Sequence, residues 1–248
     1  MPHVLSQSLL NQFDRIMINK MTGASYAGIY SCIYTISTVI QVLAGAVENA
    51  WSPWVFVKLN SKLELEVRKK SETMIDMFLM ATIGFMCVMP ETCKIIIDSK
   101  YWDGIPLIFP LSLAMFFAFL YTFPANIEYY HKKTSTISAG TVLCAIINIV
   151  LNYVFIGIFG YVAAAFTTAA SYLLLFSFHW LIAKTYGISQ IYDSAVFLKN
   201  SLILIAVSMI FFLTYNCGLF SIFIRYLVCV IAVIRLFKYR KVLIEFFK

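Results

Sequence analysis

The chain has 248 residues, 61% of them hydrophobic and 12% charged, with a mean hydropathy of +0.85 and a formal net charge of +7. An ordinary soluble domain carries roughly a quarter charged residues, so these values exclude a soluble globular protein and predict an all-α, polytopic integral membrane protein. The basic residues fall in short clusters between apolar runs, which excludes a nucleic-acid-binding face and marks them as topology signals.

A spanning helix needs roughly 20 apolar residues, and eight segments qualify: 4–22, 27–57, 73–93, 104–127, 134–157, 160–183, 200–216 and 218–237. The first has no basic leader and no small-residue cleavage site, so it is expected to stay in the mature protein. It carries Ser8, Asn11, Gln12, Arg15 and Asn19, whose spacings of three or four place them on one helical face. Arg15 lies roughly 16 Å from Val4 along the axis, near the bilayer centre, where a cation costs about 2.5–3.5 kcal/mol. Adjacent helical residues point about 100° apart, so Asp14 and Arg15 are not expected to neutralise each other. Arg15 is expected to face a cavity, with Asp14 orienting it or pairing with a neighbouring helix.

The second segment repeats the pattern with Tyr34, Thr38, Gln41, Gly45 and Glu48. Its "WSPW" at 51–54 is expected to mark a kinked exit, with Trp51 and Trp54 at the headgroup level. Glu48, one turn inside, reads either as a structural acid or as a titratable gate. The stretch 58–72, "KLNSKLELEVRKKSE", is the longest loop and reads as a solvated connector. Asp76 and Glu128, near the ends of their helices, are expected to reach the interface. Pro90, Pro106, Pro110 and Pro124 punctuate the third and fourth helices. In the fifth, Thr141, Asn148 and Asn152 suit interhelical hydrogen bonds, and "AAAFTTAAS" in the sixth is a small-residue packing face.

Fourteen lysines and arginines follow the even-numbered helices and three lie on the opposite side, which predicts that both termini are cytoplasmic. The six cysteines form no CxxC pair and sit mostly in apolar runs, so neither a disulfide framework nor a metal is expected. His131 and His179 read as snorkelling polar tips near helix ends. With no HExxH, GxGxxG or P-loop pattern and no long external loop, no enzyme activity and no cofactor are expected.

"LLNQFDRIMINKMTGASYAGIYSCIYTIS", then "NAWSPWVFVKL", then "LNYVFIGIFGYVAAAFTTAASYLL" resembles the Wzx-type polysaccharide flippases of the multidrug/oligosaccharidyl-lipid/polysaccharide exporter superfamily. The match runs over about residues 4–183. The family's second glycine after the one matching Gly160 is replaced by Ala163. The resemblance implies two six-helix lobes around a cavity in the bacterial inner membrane. Such a protein moves an undecaprenyl-pyrophosphate-linked oligosaccharide between leaflets by alternating access, for surface polysaccharide biosynthesis such as O-antigen.

The matched stretches look like the second, C-terminal lobe. Residues 1–183 would be that lobe, and 184–248 two additional helices with a basic cytoplasmic tail. The first lobe is not in this sequence, so the chain would be a truncated product of a longer gene, work with a separately encoded N-terminal lobe, or be inactive alone; the partners would be the lipid-linked oligosaccharide and membrane lipids, with no nucleic acid. Arg15, Asn11, Gln12 and Gln41 would bind substrate, and Asp14 or Glu48 would couple transport to an ion gradient. The alternatives are a drug or cation antiporter of the same superfamily, a membrane-embedded polysaccharide-assembly enzyme, and an inactive remnant.

Overall fold

The computed structural model describes residues 2–238, with side chains over 12–237. Among the described residues every regular element is helical: α1 Pro2–Thr22, α2 Ala24–Asn60, α3 Glu64–Ile96, a 3-10 helix Ser99–Leu107, α4 Ile108–Leu120, α5 Thr122–Tyr130, α6 Thr134–Phe159, α7 Ala163–Lys184, α8 Ile188–Ile191, α9 Ser194–Thr214 and α10 Leu219–Lys238. Seven stretches are long and apolar enough to cross a membrane, and they coincide with predicted spans two to eight. The first predicted span lies in α1, which is not among the seven and carries Asp14, Arg15 and Lys20 in its described part. The tail beyond 238 lies outside the described residues.

Tight turns force the antiparallel order. Gly23, at φ +106°, closes α1 against α2, and its N–H reaches the Ile18 and Asn19 carbonyls. Among the described residues Lys62 and Lys132 are the two non-glycine residues in left-handed conformation. In both turns a 6→1 and a 5→2 bond close the helix end: Leu63 to Lys58 and Lys62 to Leu59 after α2, Lys133 to Glu128 and Lys132 to Tyr129 after α5. Gly160, at φ +70°, turns α6 into α7.

The stretch Ser99–Tyr130 is the axis of the bundle, with 94% of its most apolar window buried. The α4 helix packs against α2, α3, α7 and α9, while α1 packs on α2 and α6, and α10 lies mainly on α3. Rings fill the centre: Phe78 stacks on Phe119 at 3.9 Å, and Phe123 touches Trp51, Phe119, Tyr192 and Phe197. The predicted fourth helix is divided instead of continuous, its start 3-10 and its end reset at Tyr121.

Two further expectations are corrected. The 58–72 loop is almost entirely helix, since α2 runs to Asn60 and α3 starts at Glu64. Lys58–Glu66 at 2.9 Å and Arg68–Asp193 at 2.8 Å stabilise this extension. Because α2 continues through Pro53, Trp51 turns inward against Phe123 and is 1% exposed. Trp54 is half-buried and has Lys70 over its ring at 4.6 Å, the cation–π environment expected at an interface.

Candidate functional site

Asp14 is fully buried and is the meeting point of four helices. Its Oδ2 accepts from Tyr30 Oη of α2 at 2.9 Å and from Thr168 Oγ1 of α7 at 2.7 Å, and its Oδ1 from Asn152 Nδ2 of α6 at 2.5 Å. Asn152 Nδ2 also reaches Asn148 Oδ1 at 3.2 Å, and Thr167 donates to Asn152 Oδ1. A carboxylate in an apolar interior is expensive unless its lone pairs are met, and here three donors meet them. Asn152 turns its amide nitrogen to both Asp14 and Asn148, so the carboxylate and amide oxygens of the cluster are taken up by hydrogen-bond donors. Among the described residues there is no group of three or more His, Cys, Asp or Glu that could hold a metal ion.

Arg15 points elsewhere, as helical geometry requires. Its guanidinium carbon lies 5.0 Å from the centre of the Tyr34 ring, and among the described residues it forms no ion pair. Its Nε is buried without a hydrogen-bond partner. On the adjoining face Gln12, Ile16 and Asn19 are exposed. Asn11 lies outside the residues whose side chains are described.

Gln41 and Glu48, both half-buried, continue the Tyr34 stripe of α2 at intervals of seven residues, roughly 10 Å each along the axis. The predicted site residues therefore form a file along one helical hairpin and do not converge. Asp14 is separated from the file by its burial. Glu48 sits within electrostatic range of Tyr121 and Tyr129.

The α1–α2 hairpin leaves a broad face uncovered, including Ile16, Val39, Val42 and Leu43 at 48–71% exposure. Among the described residues, cavities lie away from it or beside it. One of about 490 Å³ between α2 and α3 is lined by Cys32 and Cys93 among others. An apolar one of about 630 Å³ sits between α6, α7 and α9, and one of about 260 Å³ between α6 and α7. None is lined by Asp14, Arg15, Gln12, Gln41 or Glu48.

Sequence reasoning missed two polar pairs, one fully buried and one a third exposed on its acidic side. Glu128 and His179 are both fully buried, 2.6 Å apart between Oε1 and Nδ1, so neither reaches the interface and His179 is no snorkelling tip. The reason is that α4 and α5 form the axis, which turns Glu128 inward against α7. Arg225 of α10 grips Glu91 of α3 in a bidentate pair at 3.0 and 2.5 Å. Asp76, half-buried, accepts from Asn200 of α9 at 2.9 Å. Of the polar set on the fifth span, Asn152 makes interhelical bonds, and Thr141 donates to the Ile137 carbonyl of its own helix. The interhelical partners lie at least 51 residues apart and only helix docking joins them.

No protein-family model matches the chain, and no curated protein matches it. Among solved structures it is similar to the lipid II flippase MurJ in its inward closed conformation. The TM-score is 0.61 at 15% sequence identity, over 95% of this chain and 52% of that one. The likeness is one of fold, and the chain spans about half the length of that structure.

Proposed function

We propose that the chain is one lobe of a bacterial inner-membrane flippase that moves an undecaprenyl-pyrophosphate-linked oligosaccharide for surface polysaccharide assembly. It corresponds in this reading to the C-terminal lobe, residues 1–183, with 184–248 as an added helix pair and tail, both termini being cytoplasmic. A separately encoded N-terminal lobe would cover the open α1–α2 face. The observation that carries the reading is that face itself. It is left uncovered in a chain folded like half of a lipid II flippase, and it carries Gln12 and Asn19 exposed beside a half-buried arginine.

Arg15 would bind the pyrophosphate. A guanidinium keeps its charge and meets two phosphate oxygens at once, and this one has no anionic partner among the described residues. Asn11, Gln12 and Gln41 would offer uncharged hydrogen bonds to phosphate or sugar along the hairpin. Asp14, inside its hydrogen-bonded cluster, would couple the cycle to a cation or proton, and Glu48 would gate it. A cation antiporter is the second reading, and the Asp14 cluster alone favours it. An anionic cargo better accounts for an unpaired arginine at the same level.

The test is complementation of a flippase-deficient strain with the missing lobe supplied. Arg15→Ala should abolish surface polysaccharide at unchanged membrane expression. Normal transport by Arg15→Ala removes the arginine from the mechanism.

A further inference from the structure

Where α2 turns into α3 and α5 into α6, glycine would be the unstrained residue, because an L side chain in left-handed conformation crowds the following carbonyl. Both turns hold lysine there instead, Lys62 at φ 56° and Lys132 at φ 59°. Four other described positions of positive φ, Gly23, Gly160, Gly187 and Gly218, use glycine. Strain kept at two matching positions points to something the side chain supplies.

The two turns are joined. Tyr130 Oη of α5 donates to Asn60 Oδ1 at the end of α2 at 2.9 Å, and its ring lies 6.0 Å from that of Phe56. The α2 helix and the Ser99–Tyr130 stretch are the first and third of the seven spanning stretches, so in antiparallel order both end on the same side. The two lysines therefore stand near each other at one bilayer surface. Trp54, with Lys58 and Lys70 over its ring at 5.7 and 4.6 Å, marks the same boundary.

Lys62, Lys132 and the adjacent Lys133 are exposed, and among the described residues none of them forms an ion pair. The acids of this region are mostly taken: Glu66 pairs with Lys58, and Glu72 and Asp193 pair with Arg68, while Glu64 is exposed. Beside the charges, Val57, Leu63 and Leu65 are 61%, 44% and 73% exposed. A soluble anion would meet the lysines and leave these side chains in water. A phospholipid meets both, with its phosphate on the ammonium groups and its glycerol and acyl region on the apolar side chains.

We propose that the joined α2–α3 and α5–α6 turns form a docking surface for the headgroup of an anionic phospholipid, with Lys62 and Lys132 as its anchors and Lys133 beside them. The surface is separate from the Arg15 face and stands whether or not the chain moves a lipid-linked cargo.

Native mass spectrometry of the delipidated full chain in detergent, titrated with phosphatidylglycerol, phosphatidylcholine and inorganic phosphate, tests this. Each lysine near an anionic lipid surface strengthens association about 5-fold. The Lys62→Gly/Lys132→Gly variant should therefore bind phosphatidylglycerol about 25-fold more weakly than wild type and phosphatidylcholine equally. It should melt no earlier, because glycine relieves both left-handed positions. Lys100→Gln, at the opposite end of the bundle, should bind as wild type does. Equal affinity of wild type for the two phospholipids, undiminished phosphatidylglycerol binding by the glycine variant, or displacement of phosphatidylglycerol by inorganic phosphate overturns the proposal. Should the glycine variant fail to fold, Lys62→Asn/Lys132→Asn decides by the same comparison, since asparagine accepts the left-handed backbone without the charge.

Discussion

The Thr168 hydroxyl donates to the Asp14 carboxylate at 2.7 Å across 154 positions of sequence. This bond ties α7 to the first helix. Together with Tyr30 and Asn152 it makes Asp14 the point at which α1 is fixed to α2, α6 and α7. Asp14→Ala leaves those three donors facing a void in an apolar interior. Hydrogen bonds to charged groups are worth about 1.5–3 kcal/mol in water-soluble proteins and less between membrane helices. A loss of about 2–4 kcal/mol is expected, read as a lower melting temperature in detergent, with Asp14→Asn less affected because it keeps acceptor and volume.

Gly140 should tolerate no side chain. Its Cβ would lie 2.6 Å from His179 Nε2 and 2.7 Å from Phe178 Cε1. Overpacking of this kind costs about 1–3 kcal/mol. Gly140→Ala should therefore melt earlier than wild type. Gly84→Ala, where a Cβ meets nothing within 4 Å, should melt no earlier, because alanine is the better helix former.

The α10 helix should depend on a single pair. Arg225 is 3% exposed at its side chain and reaches Glu91, which is one-third exposed. Removing the arginine leaves Glu91 a third exposed and able to reach water, so the loss is smaller than the about 3–5 kcal/mol of a fully buried pair. Limited proteolysis of Arg225→Ala in detergent should cut the connection between α9 and α10, and wild type should resist.

Acid should loosen the start of α9. Asp193 caps that helix by accepting from Ala195 N at 2.9 Å and pairs with Arg68 at 2.8 Å, and the Arg68 hydrogen bond is the main reason its carboxyl titrates below the ordinary aspartate value. A depressed folded-state value means the stabilisation is present above the unfolded value and is lost as pH falls through the folded one. The difference in melting temperature between wild type and Asp193→Ala should be present at neutral pH and shrink as pH drops below the ordinary carboxylate range. A difference that persists undiminished in acid assigns the effect to something other than the charge.

The sequence made the spans legible because length and hydropathy alone define them, and it separated Asp14 from Arg15 because helical geometry is local. What it hid depended on docking. Trp51 looked like an interface residue until α2 was seen to run through Pro53, and Glu128 looked like a helix-end acid until the α4–α5 axis turned it inward. His179 gave no local sign of Glu128, 51 residues away. The 58–72 connector was misread because its charges suggest solvent, and an amphipathic helical extension stabilised by Lys58–Glu66 satisfies the same charges. For Arg15 helical geometry predicts a direction away from Asp14, and its guanidinium lies over the Tyr34 ring of α2.

The open α1–α2 face carries the central claim, and ligand binding to the purified chain tests it most directly. Native mass spectrometry with undecaprenyl pyrophosphate should detect a bound lipid on wild type. Loss of a charge-assisted contact worth about 1.5–3 kcal/mol should weaken it about 10- to 100-fold in Arg15→Ala, with partial recovery in Arg15→Lys. Equal binding by wild type and Arg15→Ala, or no preference for the pyrophosphate over a neutral polyprenol, would contradict the account.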